Sequence, residues 1–554
     1  MLKKGGRPEM AKQKNRFMTN VAAILGSQIL IKILGLFYNL VIINIPGFGD
    51  LGNGYRTAGY QIYAMLLAIS SVGIPNAISK MISERLALED EDGAERIFHT
   101  ALRLFAGVGL FATLLLFWGA DFIALKIYHM DGVQYTLKAL SPSIFFVCVS
   151  SVIRGYFLGQ QNVHPNNRSQ MLEQVFKCSL TIAFVWLLSK TTAVIMAAGA
   201  NAATTVSTLL STGYLLIVLR TYRKKNKLNR RVSGLSRARR RKLVRDILAL
   251  SVPISLSSII TTVARVIDTA TISRGIAKAF ASGIPGQTGI PTESDLMAYA
   301  AQMSGMLSKA DNITNLPLAM NIAFATALVP AISAALALGD RKTAAKRISY
   351  SYLISTLIIL PCAAGLIILA EPFFQLLYPR AVEGAPLLRW AAVALIFTAL
   401  DQTICGSLQG LGRVRVPATG LLCGALVKTV LNLILIRIPS VNIYGAVISS
   451  VACHIVAYTI CFTALRRTIR LRMPRQKYLV KPILSTLVMS LVCFGSYRLG
   501  MLVTHSNAIS VVLSVGLSVI SYAACVFALH ILNYQEILEL PMGARIAKVL
   551  RISE

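Results

Sequence analysis

The chain has 554 residues, of which 55% are apolar and only 14% charged, with a mean hydropathy of +0.63. Soluble domains carry about 25% charged residues, so a soluble multidomain enzyme is excluded, and membrane spans of ~20 apolar residues become the unit to count. The net charge of +33 sits between the apolar runs, which reads as topology charge facing anionic lipid and not as a nucleic-acid footprint.

The basic tail Lys3 to Arg16 leads into the apolar run Val21 to Ile45, which is too long for a signal-peptide core and lacks a small-residue cleavage site. It is expected to remain as a first span. Apolar runs place spans at 20–45, 57–82, 97–119, 137–159, 170–189 and 192–219, then at 247–274, 307–335, 349–370, 387–410, 416–437, 441–464, 480–500 and 508–532. With fourteen spans, all the strongly basic segments fall on one side: six Lys and Arg in the N-terminal tail, thirteen from Arg220 to Arg245, then Arg341, Lys342, Lys346 and Arg347, and seven from Arg466 to Lys481. Connections on the other face carry few, such as Arg56, Lys126, Lys190, Arg380, Arg437 and Arg498. Both termini are therefore expected in the cytoplasm. The acidic stretch Glu84, Glu89, Asp90, Glu91, Asp92, Glu95 reads as a solvated face without a function.

Laid over itself at an offset of 250, the sequence matches Leu88 with Leu338, Asp90 with Asp340, Ala120 with Ala370, Asp121 with Glu371 and Tyr128 with Tyr378; at 251, Arg96 meets Arg347, Ile97 Ile348, Gly155 Gly406 and Gly159 Gly410. An even number of spans per repeat makes both halves enter the membrane in the same sense. The expected architecture is an all-α polytopic membrane protein of fourteen transmembrane helices: two six-helix lobes related by a pseudo-two-fold along the membrane normal, plus two extra C-terminal helices. The segments are a basic cytoplasmic tail at 1–19, a first lobe at 20–219 (helices 1–6), a basic cytoplasmic linker at 220–246 and a second lobe at 247–464 (helices 7–12). Helices 13 and 14 follow at 465–532 with their cytoplasmic connection, and 533–554 is a cytoplasmic tail.

The phosphate-cradling GxxxxGK[ST] is absent, as are HExxH and GxSxG, which excludes the ATPase and hydrolase classes those motifs mark. All nine cysteines stand singly in apolar runs, so neither disulfides nor a structural metal is expected. Charges inside spans then carry the information, since each is unfavourable by about 2.5–3.5 kcal/mol at a helix centre unless it faces a wet cavity or a partner. Gln28, Lys32, Gly35 and Asn39 recur at helical spacing and form one polar stripe. Ser258, Thr261, Arg265 and Asp268 form a second, in which Arg265 either pairs with Asp268 or holds an anionic head group while Asp268 takes a coupling cation. Arg154 and Asp401 complete the set, Asp401 as a second coupling-ion candidate, and Glu173 with Lys177 is expected as a structural pair. Pro75 and Pro330 are read as kinks inside the second and eighth spans.

The stretch Arg154-Gly155-Tyr156-Phe157-Leu158-Gly159-Gln160-Gln161-Asn162, followed by Pro165 and Glu173, resembles the signature of the stage V sporulation protein B and polysaccharide-biosynthesis family. Gly73-Ile74-Pro75-Asn76-Ala77-Ile78-Ser79-Lys80 and Leu408-Gln409-Gly410-Leu411-Gly412 are similar to the same family. That resemblance covers essentially the whole chain and implies the multidrug/oligosaccharidyl-lipid/polysaccharide exporter superfamily, which includes MurJ-type lipid II flippases. Ser27 to Gly35 is similar to the basic first-span signature of those flippases, with Lys32 in place of the usual Arg and Tyr38 where a second basic residue is expected. The implied function is transfer of an undecaprenyl-pyrophosphate-linked precursor, with lipid II first in line, across a bacterial plasma membrane. Lys32, Arg265 and Arg154, with Gln28, Asn39 and Asn76, are the candidate substrate contacts. No catalytic residue, metal or organic cofactor is expected, and drive comes from Na+, protons or the membrane potential. Expected partners are the lipid-linked substrate, anionic lipids and cell-wall synthesis machinery, with no nucleic acid. A cation-coupled multidrug exporter and a non-transporting scaffold for spore or cell-wall assembly are the competing readings.

Overall fold

The computed structural model describes residues 31, 34–68, 74–160, 162, 164–225, 237–285, 289–337, 339–413, 415–533 and 536. Helix is the only regular secondary structure among them. In chain order the helices are α1 (Leu34–Ile43), α2 (Gly49–Ala68), α3 (Ile74–Ala87), α4 (Glu91–Phe122, continued by a wider turn at Ile123–Tyr128), α5 (Val133–Gly159), α6 (His164–Leu187), α7 (Ala193–Lys225) and α8 (Arg237–Ala279). They continue with α9 (Glu293–Ala337), α10 (Arg341–Ile368), α11 (Ala370–Leu377), α12 (Ala385–Gly410), α13 (Arg415–Leu435), α14 (Tyr444–Thr468), α15 (Lys481–Thr504) and α16 (Asn507–Ala528).

Nine of the described helices are long and apolar enough to cross a membrane: α4, α5, α7, α10 and α12 to α16. The expected second span, 57–82, falls on α2 and α3, and residues 69–73 between them, just before the Pro75 read as a kink, lie outside the described residues. Outward faces are apolar: Phe111, Leu115, Trp118 and Phe122 on α4 recur at helical spacing and are all exposed, as are Leu487, Leu491 and Phe494 on α15. Stripes this long suit lipid and not water.

The chain forms two compact units, Met1–Ser308 with Arg437–Ser440, and Lys309–Ile436 with Val441–Glu554. In the first, α5 is the hub and packs on α2, α3, α4 and α7, while α8 lies on α2, α3 and α4. Small residues let α3 approach α5: a methyl at Gly155 would sit 2.9 Å from the Pro75 carbonyl oxygen, and one at Gly159 would be 2.9 Å from the Ile82 side chain. The glycines of the Arg154–Asn162 stretch and the Ile74–Lys80 motif are thus two sides of one helix crossing. A second crossing joins α2 to the first part of α9. A Cβ at Gly54 would overlap the Ala301 carbonyl, and one at Gly305 would overlap the Asp50 carbonyl. Asn53 Nδ2 donates to the Gly305 carbonyl at 3.0 Å, and the Thr57 and Ser308 hydroxyls meet at 3.2 Å. At the 251 offset these contacts are reciprocal, since 50 maps to 301, 54 to 305 and 57 to 308.

In the second unit, α10 and α14 pack on α12, α13 pairs with α14, α15 with α16, and α10 with α15. Its first turn repeats one from the first unit. Asp90 and Asp340 cap α4 and α10 by accepting from Gly93 N at 2.7 Å and Thr343 N at 2.9 Å. Glu89 and Gly339 before them share a left-handed backbone, with φ of 58° and 72°. The Asp90 and Asp340 amides reach back to the Arg85 and Ala335 carbonyls, both at 2.9 Å. The Thr343 hydroxyl and amide hold the Asp340 carboxyl below the usual carboxylate range.

Candidate functional site

Gln28 and Lys32 lie outside the described residues, as does the side chain of Asn76. Asn39, from the same expected stripe, is buried on α1 and donates from Nδ2 to its own helix at Gly35 O, 2.8 Å away. Helix α1 leans on α6, where the Cys178 thiol donates to the Leu34 carbonyl at 3.4 Å.

The intramembrane charges of the first unit sort by their partners. Arg154 Nη2 binds Glu173 Oε2 at 2.8 Å, and the same guanidinium reaches the Ser169 and Ser211 hydroxyls at 3.2 and 3.4 Å, clasping α5 to α6 and α7. This corrects the expected Glu173–Lys177 pair: both lie on α6, but Glu173 turns to the stronger, forked cation across the helix interface. Glu95, expected on a solvated face, is buried at 7% exposure and accepts from Tyr156 OH and Arg223 Nη2, both at 2.5 Å, with His99 Nε2 3.6 Å away. Arg223 lies over the Phe98 ring at 4.8 Å.

Those two carboxylates are therefore spent on Arg154 and Arg223, and two further cations have neutral partners. Lys177 Nζ sits 4.5 Å over the Tyr60 ring and 3.4 Å from its hydroxyl, and Tyr63 packs on Tyr60 at 5.4 Å between centroids. Arg56, read from sequence as a loop charge, is inside α2 and only 8% exposed. It donates to Asn53 Oδ1 at 2.8 Å, and its carbonyl accepts from Asn201 Nδ2 at 3.2 Å. Buried Tyr38 of α1 is within electrostatic reach of both Lys177 and Arg56. The result is a tyrosine-lined, basic interior formed by α1, α2 and α6. A positively charged side chain in the middle of an apolar run was the available signal; the partner of Lys177, being on another helix, was not.

On α8, Arg265 is exposed and Asp268 half-buried, with the Asp268 carbonyl accepting from Thr271 Oγ1 at 2.9 Å. In the second unit Lys309 is fully buried and donates to the Ala381 and Glu383 carbonyls at 2.5 and 2.8 Å, with Phe374 and Tyr378 rings 5.3 and 5.4 Å away. Sequence reading passed over this residue, which here fastens α9 to the 381–383 turn. Asn321, Ser355 and Thr403 form a buried polar knot, with the two hydroxyls 2.6 Å apart and Asn321 Nδ2 bound to the Ala399 carbonyl at 2.8 Å. Asp401 is buried beside Cys405, Cys461 and His454.

A family model described as polysaccharide biosynthesis protein matches residues 17–336, and one described as lipid II flippase MurJ matches residues 297–519. The lipid II flippase MurJ of Bacillus subtilis (strain 168) is 23% identical over 455 residues, 79% of this chain and 80% of that protein. Stage V sporulation protein B of the same organism is 25% identical over 442 residues, covering 80% and 82%. The solved structure of lipid II flippase MurJ in an inward closed conformation is similar with a TM-score of 0.69 at 13% identity, covering 91% of this chain and 97% of that one, a likeness of fold. The chain is a multi-pass membrane protein that belongs to the polysaccharide biosynthesis protein family, and it is similar to stage V sporulation protein B and MurJ.

Proposed function

We propose that this protein is a flippase that carries an undecaprenyl-pyrophosphate-linked cell-wall or polysaccharide precursor, lipid II in the first instance, across the bacterial plasma membrane. The observation that carries this reading is the pair of cations, Lys177 and Arg56, in the tyrosine-lined region of α1, α2 and α6. Glu173 and Glu95 are consumed by Arg154 and Arg223, whereas Lys177 and Arg56 face tyrosine and asparagine oxygens. At an effective dielectric of about 20, two unit charges about 4 Å apart interact by about 4 kcal/mol. That sign favours a pyrophosphate and opposes a cationic drug, so the exporter reading loses to the flippase reading on the same number.

The transport cycle we envisage is alternating access of two six-helix lobes in a fourteen-helix chain whose last two helices stand outside the repeat. The capped turns at Asp90 and Asp340 and the reciprocal crossing of α2 with α9 support a duplication. Lys32 and Arg265 would receive the head group at the start of the path and pass it to the Lys177 and Arg56 region. Drive comes from a cation gradient or the membrane potential, and Asp268 is the preferred coupling carboxylate, because Asp401 is surrounded by thiols and an imidazole. A cavity lined by Arg85, Arg96, Arg239 and Lys242, with Asp90 and Asp246, carries an excess of two positive charges and suits an anionic lipid head group.

The test is complementation of a bacterium depleted of its lipid II flippase, at matched membrane levels of wild type, Lys32→Ala, Arg265→Ala, Lys177→Ala and Arg56→Ala. Rescue by wild type and loss of rescue in the cation variants is the expected result. Full rescue by all four variants would remove the basic interior from the mechanism. Failure of well-expressed wild type to rescue would point to a different lipid-linked sugar.

A further inference from the structure

Cysteines that stand alone in sequence meet in the second unit. Asp401 and Cys405 are one turn apart on α12, and Cys461 comes from α14. Cys405 Sγ lies 3.5 Å from Asp401 Oδ1 and 3.9 Å from Cys461 Sγ. The ligand atoms of Asp401, Cys405 and Cys461 all fall within 4.8 Å of one another. His454, two turns before Cys461 on α14, places Nδ1 3.6 Å from the other carboxylate oxygen, Asp401 Oδ2, and that Nδ1 is buried without a hydrogen-bond partner among the described residues.

We infer that Asp401, Cys405 and Cys461 form a binding site for a zinc-class divalent cation, with His454 as a positioning residue for the carboxylate. Two of the three ligand spacings are those of a tetrahedral set. Zinc–sulfur bonds of about 2.3 Å and zinc–oxygen bonds of about 2.1 Å at a tetrahedral angle require sulfurs about 3.8 Å apart and a sulfur and an oxygen about 3.6 Å apart. The observed 3.9 and 3.5 Å match two of the three edges, and the third, between Asp401 and Cys461, lies within 4.8 Å and closes on binding by side-chain rotation. Donor chemistry selects the ion: two sulfurs and one carboxylate favour a borderline-soft cation, and reject Na+, Mg2+ and Ca2+, which want oxygen shells. The surroundings suit a held ion, since Cys461 packs with buried Ile404, Leu408 and Leu465 and with Phe462 in an apolar cluster. Three protein ligands leave a fourth position for water. The ion would brace α12 to α14, and because it binds thiolates its uptake releases protons and strengthens as pH rises. This inference does not rest on the flippase reading.

The experiment is a cobalt(II) titration of the reduced, chelator-stripped full chain in detergent. Wild type is expected to bind one equivalent, with thiolate-to-cobalt charge-transfer bands and tetrahedral ligand-field bands that zinc displaces, and to gain thermal stability with zinc. Cys405→Ser and Cys461→Ser should each weaken the charge-transfer bands and the double variant abolish them, whereas Cys423→Ser, at an exposed thiol on α13, leaves them intact. His454→Gln should lower affinity by about 10–100-fold with the band positions kept, as loss of a partner behind a ligand does. Absence of charge-transfer bands in folded wild type, or their persistence in the Cys405→Ser/Cys461→Ser double variant, overturns the proposal.

Discussion

At the scale of single residues, the Arg154–Asn162 stretch acts as an assembly device. Arg154 ties α5 to Glu173 of α6, Gly155 and Gly159 admit α3, and Tyr156 donates to Glu95 at the start of α4, so neighbouring residues of α5 serve three other helices. Arg154 was also a sequence candidate for the pyrophosphate, and its carboxylate partner sets up a test of that role. Removing one member of this half-buried ion pair strands the other, at a value between about 1 kcal/mol, as for an exposed pair, and about 3–5 kcal/mol, as for a fully buried one. Arg154→Ala is therefore expected to lower stability in detergent by about that amount, while Arg154→Ala with Glu173→Ala loses less than the sum of the two single changes. Thermal unfolding of the four proteins in this cycle decides it. Additive losses would mean that Arg154 is not held by Glu173, and unchanged stability with lost complementation would return it to the substrate path. Sequence spacing could propose the charged residues here but not their partners. Glu95 and the Cys405–Cys461 pair find their neighbours across helix interfaces, a relation to which periodicity along one helix is blind. Lys177 was misassigned for the same reason, the nearer carboxylate on its own helix being the only partner that spacing reveals.

At the scale of elements, the apolar runs and the repeat were legible, because hydropathy and spacing are written along the chain. Asp90 and Asp340 cap their helices as the repeat implies, and the left-handed residue before each is a glycine in one copy and Glu89 in the other. The crossing of α2 and α9 was not read from sequence, although its determinants are two glycines in register with the repeat. A side chain there must push a carbonyl aside, so Gly54→Val and Gly305→Val are each expected to destabilise by about 1–3 kcal/mol through overpacking. The two valines oppose neighbouring turns of one interface. The double variant should therefore fall short of additivity, once the helices have separated to admit the first. Chemical denaturation in detergent measures both quantities. A neutral Gly54→Val would show that the two helices do not approach as closely as the carbonyl overlap demands.

At the scale of the whole molecule, the apolar stripes on α4 and α15 suit lipid, and the distribution of basic residues between the apolar runs is what the expected direction of insertion rests on. The thirteen basic residues from Arg220 to Arg245 and the cluster Arg341 to Arg347 bracket α8 and α9. If both lie in the cytoplasm, α8 and α9 cross the membrane as a pair and the two repeats enter in the same sense. Two Asp-capped turns then share the cytoplasmic face, and the left-handed turns at Gly132 and Gly384 share the other. Cysteines placed in turn at Asp92, Lys342 and Arg472 are expected to react with an impermeant maleimide only after the cells are opened, and those at Lys190 and Arg380 in intact cells, above the background of the native thiols. The Lys342→Cys result carries the most weight. Labelling of that position from outside would make the number of crossings between α7 and α10 odd, invert the second repeat relative to the first, and force a pseudo-two-fold in the membrane plane in place of one along its normal.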